Sequence, residues 1–348
     1  MREQPNIPED QLRACLQEQY DLFSVTLEFL PLGHDTRAGV YRVVSEHGTP
    51  YFLKVKSGSL YEPGYLVPRY LRDQGITEVV APLPTKRNAL WTLVGDWTII
   101  VYPFIDGGTG YQLGMADENW REVGATLKQI HGVMLPPGGF QSLRKETFDP
   151  TGYAHWVHAF ETQQIGSPGG SKVERALRSC WMAHQPMIHT LLTFLEELAA
   201  VLQGRSGPHV ICHADLHPNN LLRDQANHMF VIDWEDVMLA PKERDFLFVR
   251  EAQADDSARQ NLPPFFQGYG QTEIDWIALT YYRCERVVQD LIERAQEVFF
   301  RKDLGEETKA DAVQLFGDIF AEGKMLDAAF AVAAHLPSDL ISHNTEEA

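Results

Sequence analysis

One stretch of the chain, residues 210–224, restricts its fold and chemistry more than any other, and it reads VICHADLHPNNLLRD. An apolar, strand-like run leads into a polar loop that contains His213, Asp215 and Asn220. A second apolar run follows and ends at Asp233. Polar side chains therefore stand where strands end, in loops that often carry function. Metal binding, phosphoryl transfer and a purely structural role are all compatible with this pattern alone.

Hydrophobic periodicity divides the chain into a β-rich first part and an α-rich second part. Alternating residues predict strands on both sides of a turn at 46–50 and a hairpin that turns at Gly95-Asp96. Beyond the first hundred residues, apolar residues recur mainly at helical spacing. We predict an α+β, bilobal fold with a small antiparallel β-sheet lobe, residues 1–104, and a larger, mostly helical lobe, residues 105–348.

The bulk composition disfavours several classes of protein. A formal net charge of −18 argues against a nucleic-acid partner, which needs a basic face, and suits a cationic small molecule. No apolar run approaches the roughly 18 residues of a membrane helix, and no signal-peptide pattern is present. The 4 cysteines are scattered and are interpreted as free thiols. We therefore predict a cytoplasmic monomer without nucleic-acid or membrane partners.

The spacing His-x-Asp-x-x-x-x-Asn, followed by a strand-end aspartate, is that of the catalytic loop and the metal-binding aspartate of kinases. Phosphoryl transfer requires positioned reactants and neutralised charge. Mg²⁺ prefers hard oxygen ligands, which Asn220 and Asp233 supply. Asp215 is then left to orient the acceptor hydroxyl and to take its proton late in the reaction. His213 is interpreted as a packed residue that braces the loop, with a catalytic role as the alternative.

A kinase also needs a lysine on an N-terminal strand to hold the donor phosphates. The run YFLKVKSG supplies Lys54, and Lys56 is the competing candidate because it shares the same strand face. Glu62 is the only acid between Lys54 and Asp73, and it is therefore the predicted partner of the lysine. The preceding run LGHDTRAGVY is the predicted phosphate-covering turn.

These stretches together resemble the aminoglycoside phosphotransferase family, whose members are relatives of the eukaryotic protein kinases. The resemblance implies a protein-kinase-like fold, with ATP as the donor (GTP is not excluded) and Mg²⁺ as the metal. It also implies that the backbone near the end of VYPF, residues 101–104, binds adenine. The expected nucleotide-binding residues are Gly33, Asp35, Thr36, Lys54, Glu62, Pro103 and Phe104.

The resemblance further implies that the phosphoryl group is transferred to a hydroxyl of a cationic aminocyclitol or aminoglycoside antibiotic. Spectinomycin is the expected antibiotic, and its phosphorylation would confer resistance. Three acidic residues are candidates for contacts with the cationic substrate: Glu235, Asp236 and Glu285.

Three alternatives remain open at this point. The first is a kinase of another small amino- or sugar-alcohol, such as choline, fructosamine or methylthioribose. The second is a nucleotide-binding pseudokinase, which the presence of the lysine, the base and both metal ligands disfavours. The third is a metal hydrolase built on Cys212, His213, Asp215 and His217, which would need further ligands elsewhere in the chain.

Overall fold

A computed structural model of the chain describes residues 4–32, 38–167, 169–249, 263–337 and 340. The described residues form two compact units. The first takes its described residues from 1–144, 210–239 and 258–271, and the second from 145–209, 240–257 and 272–348. The loop motif at 210–224 therefore belongs to the same unit as the N-terminal strands.

The first unit begins with a helix and an antiparallel sheet. These elements are α1 (Glu9–Tyr20), β1 (Thr26–Leu30), β2 (Ala38–Val44), β3 (Pro50–Ser57), β4 (Thr92–Val94) and β5 (Trp97–Pro103). The strand order is β1-β2-β3-β5-β4. Both predicted turns are confirmed, since residues 46–50 lead from β2 into β3 and Gly95-Asp96 joins β4 to β5. Gly95 has φ 57°, a left-handed conformation that glycine adopts without steric cost.

Strand β3 determines which way Lys54 points. Successive side chains of a strand alternate between its two faces. Leu53 and Val55 are fully buried in a core that the sheet shares with helix α1. Burial of each such side chain stabilises the fold by about 1.5–3 kcal/mol, so this face of the strand is strongly determined. Lys54 and Lys56 consequently lie on the opposite face.

Helix α2 (Pro63–Asp73) follows β3. A proline inside a helix commonly shortens or kinks it, and this segment contains Pro63 and Pro68. The helix has 11 residues and is continuous. Pro63 stands at its first position, where the missing N–H has no helical partner to lose. The continuous helix keeps an inward face that includes the fully buried Val67 and Leu71, and this packing offsets the hydrogen bond lost at Pro68.

The rest of the first unit carries the loop motif. Its elements are β6 (Gly107–Thr109), α3 (Gly110–Leu113), α4 (Asp117–Gly132), β8 (Val210–Cys212), β9 (Leu221–Asp224), β10 (Met229–Val231) and α7 (Pro264–Tyr269). Two short strands, β7 (Arg144–Lys145) and β11 (Met238–Ala240), lie where the chain passes from one unit to the other. Strands β9 and β10 form a hairpin, and β6 pairs with the other edge of β9. This hairpin joins the loop that contains Asp215 to the segment that contains Asp233.

The second unit is helical in its described part. Its main elements are α5 (Thr151–Phe160), α6 (Lys172–Gln203), α8 (Trp276–Phe299), α9 (Glu306–Asp318) and α10 (Met325–Ala333). Helix α6 carries an apolar stripe, in which Ile188, Leu191 and Leu195 are all buried. Among the described helices, none combines the length and the apolar character that a membrane crossing requires.

Candidate active site

The loop between β8 and β9 presents the predicted catalytic residues, and its backbone is held in an unusual conformation. Ala214 has φ 71°, in the left-handed region, which costs a residue with a Cβ roughly 1 kcal/mol. A short 3₁₀ turn, Pro218–Asn220, follows and brings Asn220 back toward Asp215. Strained backbone of this kind persists where the surrounding contacts over-determine it, and it is common at functional sites.

His213 provides the first of those contacts. Its side chain is fully buried, and its Nε2 lies 2.8 Å from the carbonyl oxygen of Ile232. Its Nδ1 accepts a hydrogen bond from the backbone N–H of Asp215 at 3.3 Å. The ring also packs edge-on against Trp234, with 4.7 Å between ring centroids. Both nitrogens thus serve the backbone on either side of the site, which supports the interpretation of His213 as a bracing residue.

Asp215 is partly buried and is held by neighbours from its own loop. The side-chain amide nitrogen of Asn220 donates to the backbone oxygen of Asp215 at 2.9 Å and lies 3.3 Å from its Oδ2. His217 Nε2 also lies 3.3 Å from the same Oδ2. The carboxylate that we predicted as the catalytic group is therefore oriented by two side chains within five residues of it.

Asn220 and Asp233, the predicted metal ligands, are joined through the backbone. The N–H of Ile232 donates to the carbonyl oxygen of Asn220 at 3.0 Å. Asp233 has φ 61°, a left-handed conformation that aspartate tolerates better than most residues. Because the amide nitrogen of Asn220 is turned toward Asp215, its side-chain oxygen is available as a ligand. A carboxylate and an amide oxygen form a donor set that fits Mg²⁺.

Lys54 is linked to this site by direct ion pairs. Its Nζ lies 3.2 Å from Asp233 Oδ1 and also contacts the carboxylate of Glu235. The Lys54 side chain is only 13 % exposed, whereas that of Asp233 is 49 % exposed. Burial by itself would lower the pKa of Lys54, but the carboxylates of Asp233 and Glu235 raise it well above its ordinary value. The lysine is therefore a fixed cation in contact with Asp233, the predicted metal ligand.

Glu235 holds both lysines of strand β3. Lys54 contacts its Oε1, Lys56 contacts its Oε2, and the hydroxyl of Tyr65 donates to Oε1 at 3.1 Å. Burial opposes ionisation of this carboxyl group. The charges of the two lysines and their hydrogen bonds outweigh burial and lower the pKa of Glu235 from 4.5 to about 2. We had predicted Glu235 as a contact of the cationic substrate, but its carboxylate is engaged by the lysines.

The predicted partner of Lys54, Glu62, does not pair with it. Glu62 is exposed just before helix α2, and among the described residues no ion pair joins it to Lys54. The carboxylate that pairs with the lysine comes from Glu235 instead, two residues after Asp233. The helix contributes Tyr65, one turn into it, whose hydroxyl supports that carboxylate. The expected Lys54–Glu62 pair is therefore wrong.

The role of Glu235 leads to a stability prediction. We expect Glu235→Gln to lower the free energy of unfolding at pH 7 by about 3 kcal/mol, the scale for removal of one partner from a buried ion pair. A group whose pKa is depressed on folding stabilises the fold above its unfolded pKa and loses that contribution as pH falls through its folded pKa. The difference between wild type and variant should stay constant above pH 4.5 and shrink as pH falls toward 2.

Urea unfolding from pH 7 down to pH 3 measures this effect. Asp236→Asn is a matched control, because Asp236 is the next carboxylate in the chain and is 59 % exposed in its pair with Arg144. Exposed pairs contribute about 0–1 kcal/mol. Equal losses in the two variants, or a difference that grows as pH falls, would contradict the role assigned to Glu235.

The other predicted nucleotide-binding residues have different outcomes. Pro103 is the last residue of β5, and Phe104 follows it with its ring 5.4 Å from the guanidinium of Arg42. These two residues therefore stand at the end of the strand paired with β3. Gly33, Asp35 and Thr36 lie outside the described residues. The adenine- and phosphate-binding roles stay predictions.

The two remaining acidic candidates belong to different units. Asp236 lies in the first unit, and its Oδ1 is 3.2 Å from Arg144 Nη2. Glu285 lies on α8 in the second unit, where it is buried in contact with Arg244 and accepts a hydrogen bond from Tyr153 at 3.2 Å. Burial raises the pKa of Glu285, and the charge of Arg244 opposes that shift. Glu285 is thus a buried, paired carboxyl group, and a substrate role for either acid stays a prediction.

Sequence reasoning gave too little weight to His217 and did not foresee the contacts of Tyr65. His217 was named among the ligands of a metal hydrolase, whereas its ring contacts Asp215. Its position two residues after the predicted base was a usable signal, because both side chains belong to one short loop. The contact of Tyr65 with Glu235 spans 170 residues, and no local pattern in the sequence indicates it.

The fold and this site together define a small-molecule kinase with a protein-kinase-like architecture. A lysine on the N-terminal sheet, a catalytic-loop aspartate, an asparagine and a strand-end aspartate meet in one unit. The chain belongs to the phosphotransferase enzyme family, whose sequence profile matches residues 27–280. The predicted resemblance, the fold class and the enzyme class are thereby confirmed.

Solved structures support the assignment over almost the whole chain. Spectinomycin phosphotransferase in complex with ADP and spectinomycin is 30% identical, covers 94% of this chain and 99% of its own, and superposes with a TM-score of 0.83. Its AMP-bound complex gives 29% identity, coverage of 92% and 98%, and a TM-score of 0.79. Protein StrN of Streptomyces griseus is 23% identical over 257 residues, which is 72% of this chain and 76% of StrN.

Proposed function

We propose that this protein transfers the γ-phosphoryl group of ATP to a hydroxyl of a cationic aminocyclitol antibiotic, with spectinomycin as the acceptor. The observation that carries the proposal is a continuous set of contacts through the four predicted residues. Lys54 contacts Asp233, the residue before Asp233 bonds to Asn220, and Asn220 bonds to Asp215. In the proposed reaction, these four residues would act as the phosphate-binding cation, the pair of metal ligands and the proton acceptor.

Each residue has a defined role in the proposed reaction. The carboxylate of Asp233 and the side-chain oxygen of Asn220 would hold Mg²⁺, which when bound neutralises charge on the donor phosphates. Lys54 would bind phosphate oxygens while Glu235 keeps its ammonium group in place. Asp215 would orient the acceptor hydroxyl and accept its proton as the new P–O bond forms, and the bond to the ADP oxygen breaks. The products are ADP and a phosphate monoester.

The substrate assignment has two supports. The solved relative at 30% identity was crystallised with spectinomycin and ADP, and the similarity spans 94% of this chain. The net charge of −18 favours the approach of a cation. An aminocyclitol antibiotic is such a cation at neutral pH, because its amines are protonated. Because one fold hosts many substrates, the acceptor needs a direct test.

We expect the purified protein to consume ATP when Mg²⁺ and spectinomycin are both present, and not when choline replaces spectinomycin. A coupled assay for ADP measures the rate. Mass spectrometry should find a product that is heavier than the antibiotic by one HPO₃ group, about 80 Da. Turnover of choline or a sugar alcohol without turnover of any aminocyclitol would instead support the metabolic-kinase alternative. ATP binding without turnover of any alcohol would support the pseudokinase.

A further inference from the structure

The ring of His217 makes two contacts that differ in kind. Its Nδ1 accepts a hydrogen bond from the backbone N–H of Asn219 at 3.2 Å, which caps the 3₁₀ turn Pro218–Asn220. Its Nε2 lies 3.3 Å from Oδ2 of Asp215. The ring is 23 % exposed, so it is partly buried beside the carboxylate. One edge of the ring therefore serves the backbone, and the other faces the predicted proton acceptor.

The backbone contact determines which nitrogen of the neutral ring carries the proton. A nitrogen that accepts a hydrogen bond cannot carry a hydrogen in the same direction, so Nδ1 is unprotonated in a neutral His217. The proton is then on Nε2, which lies 3.3 Å from Asp215 Oδ2, within reach of a hydrogen bond. The amide nitrogen of Asn220 lies 3.4 Å from this Nε2, but it donates one hydrogen to the backbone oxygen of Asp215 at 2.9 Å and has the Oδ2 of Asp215 at 3.3 Å as the acceptor for the other.

We propose that His217 is a positioning residue for Asp215, which it orients by donating a hydrogen bond from Nε2 to Oδ2. This inference rests on the proposed function, in which Asp215 aligns the acceptor hydroxyl. The terminal torsion of an aspartate is broad, so an unrestrained carboxylate samples many orientations. A donor fixed by a capped turn restricts the carboxylate plane, and misplacement of a reacting group by 1 Å can cost about a hundredfold in rate.

His213 and His217 therefore have separate roles within the same loop. His213 is fully buried and uses both ring nitrogens on backbone groups, those of Ile232 and Asp215. His217 uses one nitrogen on the backbone and the other on a side chain. Replacement of His213 should disturb the fold of the loop, whereas replacement of His217 should disturb the orientation of one carboxylate.

Two substitutions at position 217 separate the cap from the donor. In His217→Asn, the short side chain places its oxygen near the position of Nδ1, so it can keep the cap on Asn219, but it does not reach Asp215. In His217→Gln, the longer side chain places its amide nitrogen near the position of Nε2, so it keeps a donor for Asp215 and weakens the cap. The two variants thus remove different halves of the contact.

We expect His217→Asn to lower kcat about tenfold, the effect of one lost hydrogen bond to a charged group, with KM for ATP and for the acceptor changed less than about threefold. His217→Gln should retain kcat within about threefold of wild type. Steady-state kinetics measure both, and thermal melts show whether either variant is unfolded.

Wild-type kcat in His217→Asn would overturn the proposal, and so would equal losses of kcat in the two variants, because the cap alone would then account for the effect. The rates are compared on the alcohol that the wild-type protein phosphorylates best. If the wild-type protein does not phosphorylate spectinomycin, the proposed substrate is contradicted. The role of His217 is judged separately, from the ratio of kcat in His217→Asn to kcat in His217→Gln.

Discussion

Asp215→Asn should lower kcat at least about a hundredfold, the usual scale for a group that orients a nucleophile and takes its proton. The amide has nearly the same shape as the carboxylate, so the loop should fold as before. It cannot accept a proton, and its NH₂ group can face the acceptor hydroxyl as a competing donor. Affinity for ATP should change less than about twofold, because the nucleotide contacts assigned to Lys54 and Asp233 remain.

Steady-state turnover and calorimetric titration with ATP measure the two effects separately. Asp96→Asn is the matched control, because Asp96 is an exposed aspartate in the turn between β4 and β5 and lies outside the proposed site. That variant should turn over at the wild-type rate. Normal kcat in Asp215→Asn would remove Asp215 from the mechanism, and a parallel loss of ATP affinity would mean that it acts in nucleotide binding.

Lys54→Met should lower kcat/KM for ATP by about a hundredfold or more, because it removes a positioned charge from the phosphate site. Methionine has a similar apolar stem, so the packing of strand β3 is largely kept. The lysine is also the residue in ion-pair contact with both Asp233 and Glu235. Loss of Lys54 leaves Asp233 and Glu235 without the cation that they share, and their negative charge then repels the donor phosphates.

Lys56→Met tests the choice between the two lysines. Lys56 lies on the same face of β3 and contacts Glu235, and no ion pair between it and Asp233 is found among the described residues. We expect its kcat/KM for ATP to fall less than about tenfold. A larger loss in Lys56→Met than in Lys54→Met would reverse the assignment, and equal losses would mean that Glu235 organises both lysines as one unit.

Local patterns were sufficient to predict the loop and to select its candidate residues. Asp215 and Asn220 are five residues apart in one loop, and Asp233 lies two residues after strand β10. Loop length and strand ends constrain such residues before any tertiary contact forms. The same holds for Lys54, because alternation along β3 assigns it to the face opposite the buried Leu53 and Val55.

Contacts between distant segments were not predictable in the same way. Glu62 was chosen as the partner of Lys54 because it is near in sequence, whereas the structure brings Glu235 to both lysines. Glu235 lies more than 170 residues from the lysines in sequence, so no local pattern indicates that it will pair with them. Glu235 was accordingly expected to contact the substrate, although its charge is engaged by Lys54 and Lys56.

The sequence by itself predicted the type of fold and the class of enzyme, and it selected the residues proposed as proton acceptor and metal ligands, because these predictions depend on short-range spacing and on the alternation of apolar residues. Only the tertiary structure decided which carboxylate holds Lys54, that His213 braces the backbone, and that His217 faces Asp215. Those outcomes depend on directions and distances between side chains, and these are set only when strand β3, the loop after β8 and the segment after β10 come together within one unit.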